Sequence, residues 1–72
     1  MLSADQIAAL NEIDLLAKIA EEASEVIKAA MKHHAHGPRP LFRGVQYDNV
    51  ADTIAEFKQL SALMRHYRKR FA

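Results

Sequence analysis

Gly37-Pro38-Arg39-Pro40 is the stretch on which the fold of this chain turns. Proline has no backbone N–H to donate and fixes φ, and the residue before it is pushed out of the helical region. Two prolines and a glycine in four residues therefore end any helix that reaches them. On the N-terminal side, Ile13, Leu16, Ala20, Ala23, Ile27 and Ala30 recur at steps of three and four, and Leu15, Ile19 and Val26 make a second stripe. Ser3 with Gln6 three residues on reads as a capping box. The segment is rich in Ala, Leu, Glu and Lys, all good helix formers. It predicts one long helix over about residues 4–35, bent near Asn11. On the C-terminal side, Leu41 to Tyr47 reads as a loop of extended character, and Asp48-Asn49 as a helix cap. Val50, Ile54, Phe57, Ser61 and Met64 then keep helical spacing, with Leu60, Leu63, Tyr67 and Phe71 as a second stripe. This predicts a helix over about 49–70, with Arg68, Lys69 and Arg70 in its last turn, where the macrodipole favours cations.

Two helices with two apolar stripes each cannot bury everything in one hairpin. A hairpin covers one stripe per helix, and the other needs a partner. The size of the chain points the same way. Seventy-two residues form one small domain, 1–72, which buries only about 60% of its unfolded surface. There is no cysteine to staple it. The expected architecture is all-α: a two-helix antiparallel hairpin that dimerises into a four-helix bundle. No apolar run approaches the length of a membrane span, and no basic region followed by an apolar core opens the chain, so a cytoplasmic location is expected. The net charge is +1, but residues 1–36 carry six acids and three bases while 37–72 carry three acids and seven bases. Complementary halves favour packing one on the other and put both signs within reach of a common site.

The carboxylates that interrupt the stripes carry the chemistry. Glu22 lies three residues after Ile19 and four before Val26; Glu25 is one turn on, on the same side. Glu56 stands one turn before Leu60. Glu21 points toward the rim. Burying an unpaired carboxylate costs several kcal/mol, and three facing one interior repel. A divalent cation removes both costs. Oxygen ligands without Cys select magnesium, manganese or calcium. The competing reading is that these glutamates are solvated, or paired with Lys18, Lys28 and Lys58, as helical glutamates usually are.

The run Lys18-Ile-Ala-Glu-Glu-Ala-Ser-Glu-Val-Ile-Lys-Ala-Ala-Met-Lys32 resembles the first metal-binding helix of the MazG-like all-alpha nucleoside triphosphate pyrophosphohydrolases, whose signature is Glu-Glu-x-x-Glu followed, after a spacer, by Glu-x-x-Asp. Glu21, Glu22 and Glu25 match the first half. The segment Tyr47-Asp-Asn-Val-Ala-Asp-Thr-Ile-Ala-Glu-Phe-Lys-Gln-Leu-Ser-Ala-Leu-Met64 is similar to the second half, in particular to that of short phage-type members. Here the chain departs from the pattern. In the preferred register Glu56 takes the place of the family's Glu and Gln59 that of its Asp. In the rival register Thr53 replaces Glu and Glu56 replaces Asp. Either way one ligand carboxylate is missing, and Asp52, one turn before Glu56, is the candidate to compensate.

The resemblance implies a magnesium- or manganese-dependent enzyme that splits a nucleoside triphosphate into monophosphate and pyrophosphate. It implies metal ligation by Glu22, Glu25, Glu56 and Gln59, with Asp52 in reserve, and work on the attacking water by Glu21 and Glu22. Lys18, Lys28, Arg39, Arg43 and Lys58 are the bases available to phosphate, and Tyr47 is placed to stack on a base or to act as a staple. The partners implied are the nucleotide and a second copy of the chain, as dimer or tetramer. The missing carboxylate keeps a second reading open, a family member without catalysis that binds nucleotides or proteins. A third is a small nucleic-acid-associated helical protein using the basic, aromatic-interleaved tail Arg65–Phe71. That tail reads more simply as a dipole-matched helix end, and nucleic acid is not an expected partner. His33, His34 and His36 are spaced poorly for a metal on one helix face and read as a helix terminus.

Overall fold

The computed structural model describes residues 2–72. Its elements run α1 (Ala4–Ala9), α2 (Glu12–His36), β1 (Leu41–Phe42), β2 (Val45–Gln46) and α3 (Asn49–Phe71). The two long helices pack against each other and form the body of the molecule. The chain measures 44 × 19 × 15 Å. A 25-residue helix is about 37 Å long at 1.5 Å per residue, so α2 and α3 lie side by side.

The predicted 4–35 helix is broken, not bent. Leu10 takes an extended conformation (φ −70°, ψ 139°), and Asn11 starts a new helix by accepting from the Asp14 N–H at 2.8 Å. An Asn cap satisfies N–H groups that the previous helix would otherwise have bonded. The short α1 packs on α3. Its capping box is formed: Ser3 N–H donates to Gln6 Oε1 at 2.8 Å, and Gln6 N–H to Ser3 Oγ at 3.2 Å. Ile7 of α1 is buried with Leu15 and Leu63, and Leu2, Leu10, Ile19 and Tyr67 pack around them. Arg70 clamps α1 from the far end of α3, donating to the carbonyls of Ile7 and Leu10.

The stop at Gly37-Pro38-Arg39-Pro40 behaves as expected. Gly37 ends α2 at φ +84°, a region disfavoured by side chains with a Cβ. The extended segment after it is a small antiparallel ribbon, an addition to the expected all-α fold, with Leu41 opposite Gln46 and Phe42 opposite Val45. Arg43 and Gly44 form its two-residue turn, both at positive φ, the geometry that matches strand twist. The connection is tied down by Tyr47 N–H to the Pro40 carbonyl at 2.9 Å and Asn49 N–H to that of Pro38 at 2.8 Å. Asp48, not Asn49, caps α3, accepting from the Ala51 N–H. Asn49 is buried instead, and its Nδ2 donates to the Gly37 carbonyl at 3.0 Å, joining the end of α2 to the start of α3.

Of the two stripes on each helix, one is covered and one is not. Leu15, Ile19, Val26 and Ala29 face α3, and Leu60, Leu63 and Tyr67 face back. Ile13, Leu16, Ile27 and Met31 on α2, with Ile54, Phe57 and Met64 on α3, stand in the open; Ile13 is 78% and Phe57 59% exposed.

Candidate functional site

Glu22 sits in line with Leu15, Ile19, Val26 and Ala29 on the covered face of α2 and is half-buried. Glu25 is also half-buried, since a step of three residues turns a helix back to within about 60° of its start. Glu56 is half-buried on the facing side of α3. Glu21 is exposed, at the rim as its spacing predicts.

The pairing differs among the four. Lys18 Nζ lies 3.1 Å from Glu21 Oε2, and Lys28 Nζ lies 3.3 Å from Glu25 Oε1. Both pairs are exposed and contribute little stability, about 0–1 kcal/mol each. Glu22 has no such partner. Its Oε2 is buried without a hydrogen bond among the described residues. Burial pushes its carboxyl above the usual carboxylate range, and the charges of Glu56, Glu21 and Glu25 push it further, with Lys18 partly opposing them. Glu56, on the other helix, is the strongest of these neighbouring charges. Glu22, Glu25 and Glu56 are thus each half-buried on the seam, while the lysine pairing of the competing reading is found at Glu21 and Glu25.

Two recesses open beside this seam. A small one of about 160 Å3 is walled by Lys18, Glu21 and Glu22 with Leu2, Ile7 and Leu63. A larger groove of about 700 Å3 brings Glu25, Asp52 and Glu56 together with Lys28, Lys32 and His36. Three carboxylates and two ammonium groups along one groove suit a ligand that carries both a cation and anionic oxygens. No three Asp, Glu or His side chains among the described residues are yet gathered tightly enough to hold an ion. A divalent cation would have to draw the facing carboxylates together. The donor chemistry fits such an ion: the oxygens are hard, the charge is in excess, and Glu22 Oε2 lacks a donor among the described residues.

No family model, curated protein or solved structure matches this chain. The site is therefore read from its own residues.

The remaining sequence-predicted residues scatter. Gln59 is half-buried but walls neither recess, and Thr53, its counterpart in the rival register, donates its hydroxyl to the Asn49 carbonyl at 2.7 Å. Arg39 lies beside Asp48 at 3.9 Å, Arg43 rests over the Phe42 ring at 5.3 Å, and Lys58 is exposed. None of these three bases reaches either acidic recess. Tyr47 walls a third recess, under the ribbon. Lys32 was not singled out from the sequence, yet it walls the main groove. Its signal was present in the spacing: Lys32 is one turn beyond Lys28 and two beyond Glu25. His36 sits there too, not as part of a histidine cluster but as a single residue at the end of the groove.

Proposed function

We propose that this chain is a magnesium-dependent nucleoside triphosphate pyrophosphohydrolase of the MazG-like kind, working as a homo-oligomer in the cytoplasm. The observation that carries the reading is the buried, unpartnered carboxylate oxygen of Glu22, pressed by Glu56 from the opposite helix. A half-buried acid with one oxygen shut off from water, beside further acids, is less favourable as a bare charge than with a cation bound. Glu22, from the smaller recess, and Glu25 and Glu56, from the groove, are the residues that would hold magnesium or manganese, with Asp52 on the wall of the groove beside Glu25 and Glu56 replacing the charge that Gln59 lacks. The ion, when bound, supplies charge neutralisation at the phosphates and a lowered pKa for a water. The protein supplies the rest. Lys28 and Lys32 face the groove and neutralise phosphate oxygens. Glu21, held by Lys18, takes the proton of the water that attacks the alpha phosphorus. The bond from that phosphorus to the bridging oxygen breaks, and pyrophosphate leaves.

The uncovered stripe supports the oligomer. Ile13, Leu16, Ile27, Ile54, Phe57 and Met64 are exposed, and Leu16 and Met64 meet beside the hairpin seam in one recess with Ile19 and Tyr67, on a flank where a second hairpin would complete a four-helix bundle.

The test is pyrophosphate release over a panel of ribo- and deoxynucleoside triphosphates, with and without magnesium. Metal-dependent release is expected, and Glu22→Gln should reduce it at least a hundredfold, about 2.7 kcal/mol of barrier. Release that survives Glu22→Gln unchanged rejects the site. Gln59→Asp should raise the rate if Glu56 and Gln59 occupy the family's paired positions. A second reading rests on Gln59 itself, a neutral residue where a carboxylate is expected: a nucleotide-binding module that does not turn over. Saturable binding of triphosphate without pyrophosphate release would select it.

A further inference from the structure

The small recess at Glu22 is closed by the start of the chain. Leu2, just before α1, and Ile7 of α1 wall it together with Leu63 of α3 and with Lys18, Glu21 and Glu22 of α2. Ile7 and Leu63 are buried. The aliphatic side chains of Leu2, Ile7 and Leu63 offer no donor and no oxygen, and Glu22 Oε2 has no hydrogen bond among the described residues. A hard divalent cation needs about six oxygens around it, and magnesium keeps several of its waters. An apolar cover over the carboxylate supplies none of them and leaves those waters no place. The cover is also built as a separate piece. Leu10 is extended between α1 and α2 (φ −70°, ψ 139°). α2 begins on its own cap, Asn11 accepting from the Asp14 N–H at its side chain and from the Leu15 N–H at its carbonyl. The Ser3–Gln6 capping box lies within α1 and moves with it. What ties α1 down is Ile7, with Leu2 and Leu10 packed beside it, and the two bonds from Arg70 to the carbonyls of Ile7 and Leu10.

We propose that α1 is a hinged cover over Glu22, held shut by Arg70, and that a divalent cation reaches that carboxylate only when the cover is released. This rests on the reading of Glu22 as a metal ligand and adds to it a control of the site by the start of the chain. Arg70 is a positioning residue here: it donates to α1 and walls neither acidic recess. The coupling is reciprocal. By whatever factor release of α1 tightens the ion, the ion favours the released form of α1.

The experiment titrates the full chain with manganese alone, without nucleotide, by calorimetry, and follows amide exchange with and without the saturating ion. Arg70→Ala should tighten manganese at least about fivefold. Arg70→Lys keeps the charge and loses the fork, so it should tighten the ion as well, which removal of a positive charge alone would not explain. Ile7→Ala loosens the cover from its apolar side and should act in the same direction. In the wild type, the ion should raise exchange at residues 4–10 at least about fivefold while the Leu15 and Leu63 amides stay protected. Glu22→Gln should abolish the difference between the chain with Arg70 and the chain with Arg70→Ala. Manganese that binds Arg70→Ala no more tightly than the wild type overturns the proposal. So does an ion that protects residues 4–10, since α1 would then belong to the bound form. Tightening in Arg70→Ala alone, with α1 exchange unmoved by the ion, is a charge effect and overturns it too. Equal manganese binding by wild type and variants, with pyrophosphate release intact, removes the cover and leaves the enzymatic reading; no binding by the wild type or by Arg70→Ala removes both.

Discussion

Glu22 is, among the described residues, the acid with a buried oxygen and no donor. The direction of its shift fixes a pH dependence. The carboxyl is raised above its ordinary value of 4.5 by burial and by neighbouring negative charge. Between that value and the raised one, the folded chain holds a proton that the unfolded chain has released. The fold therefore binds more protons than the unfolded state, and stability falls as pH rises through the window. Below 4.5 both states are protonated at this position and the advantage is complete. Glu22→Gln keeps the shape and removes the charge. Without added metal it should raise the melting temperature at neutral pH and flatten the fall in stability above pH 4.5. Thermal melts at several pH values read this directly, and a variant less stable than wild type at neutral pH would refute the assignment. Magnesium should stabilise the wild type and leave the variant unmoved, since only a ligand that prefers the folded state raises stability.

Among the elements, α1 is the one whose attachment depends on few contacts. It has six residues, too few to be stable alone. Burial of Ile7 and the two bonds that Arg70 donates to the carbonyls of Ile7 and Leu10 hold its C-terminal half. The Arg70 fork reaches two carbonyls at the end of α1, a geometry that a lysine cannot copy. Arg70→Ala should release α1 and leave α2 and α3 paired. Amide exchange at residues 4–10 should rise at least tenfold while Leu15 and Leu63 amides stay protected; uniform loss of protection along the chain would instead mean that α1 belongs to one cooperative unit. The same element explains why the sequence reading ran one helix through Asn11. Ala8, Ala9 and Leu10 are good helix formers with no proline or glycine near them. Continuity was the sound local expectation. What breaks the helix is the apolar site at Leu15 and Leu63, which Ile7 fills by turning back.

At the scale of the whole molecule, the hairpin is thin and elongated for its length. Its radius of gyration is 14.6 Å, against about 11 Å for a compact domain of this length. Its accessible surface is 5424 Å2, against about 4500 Å2 for a compact monomer of 8.1 kDa. Leu15 is the one large side chain with essentially no exposure among the described residues. The open stripe through Ile27 and Phe57 is the reserve of apolar surface. The wild type should sediment as a dimer or larger at micromolar concentration. The double substitution Ile27→Glu and Phe57→Glu should shift it to monomer and lower the melting temperature, because it places charge where a second hairpin would pack. A wild type that stays monomeric at high concentration would remove the bundle from the proposal. No helix among the described residues is long and apolar enough to cross a membrane.

Periodicity, caps and the Gly37–Pro40 stop were sufficient to place both long helices, because the forces that set them act within a few residues. The same local pattern put Glu22 and Glu56 on apolar stripes, since facing is a property of helical spacing alone. Local pattern could not choose which of two stripes closes inward. That was decided when Leu15, Leu63 and Ile7 met, and contact between residues about fifty positions apart leaves no mark in spacing. Nor could it bring Lys32, His36 and Asp52 to one wall, because the ribbon that joins the helices sets how their ends meet. Composition and spacing settle which surfaces are apolar or charged; only the packed chain settles which of them face one another.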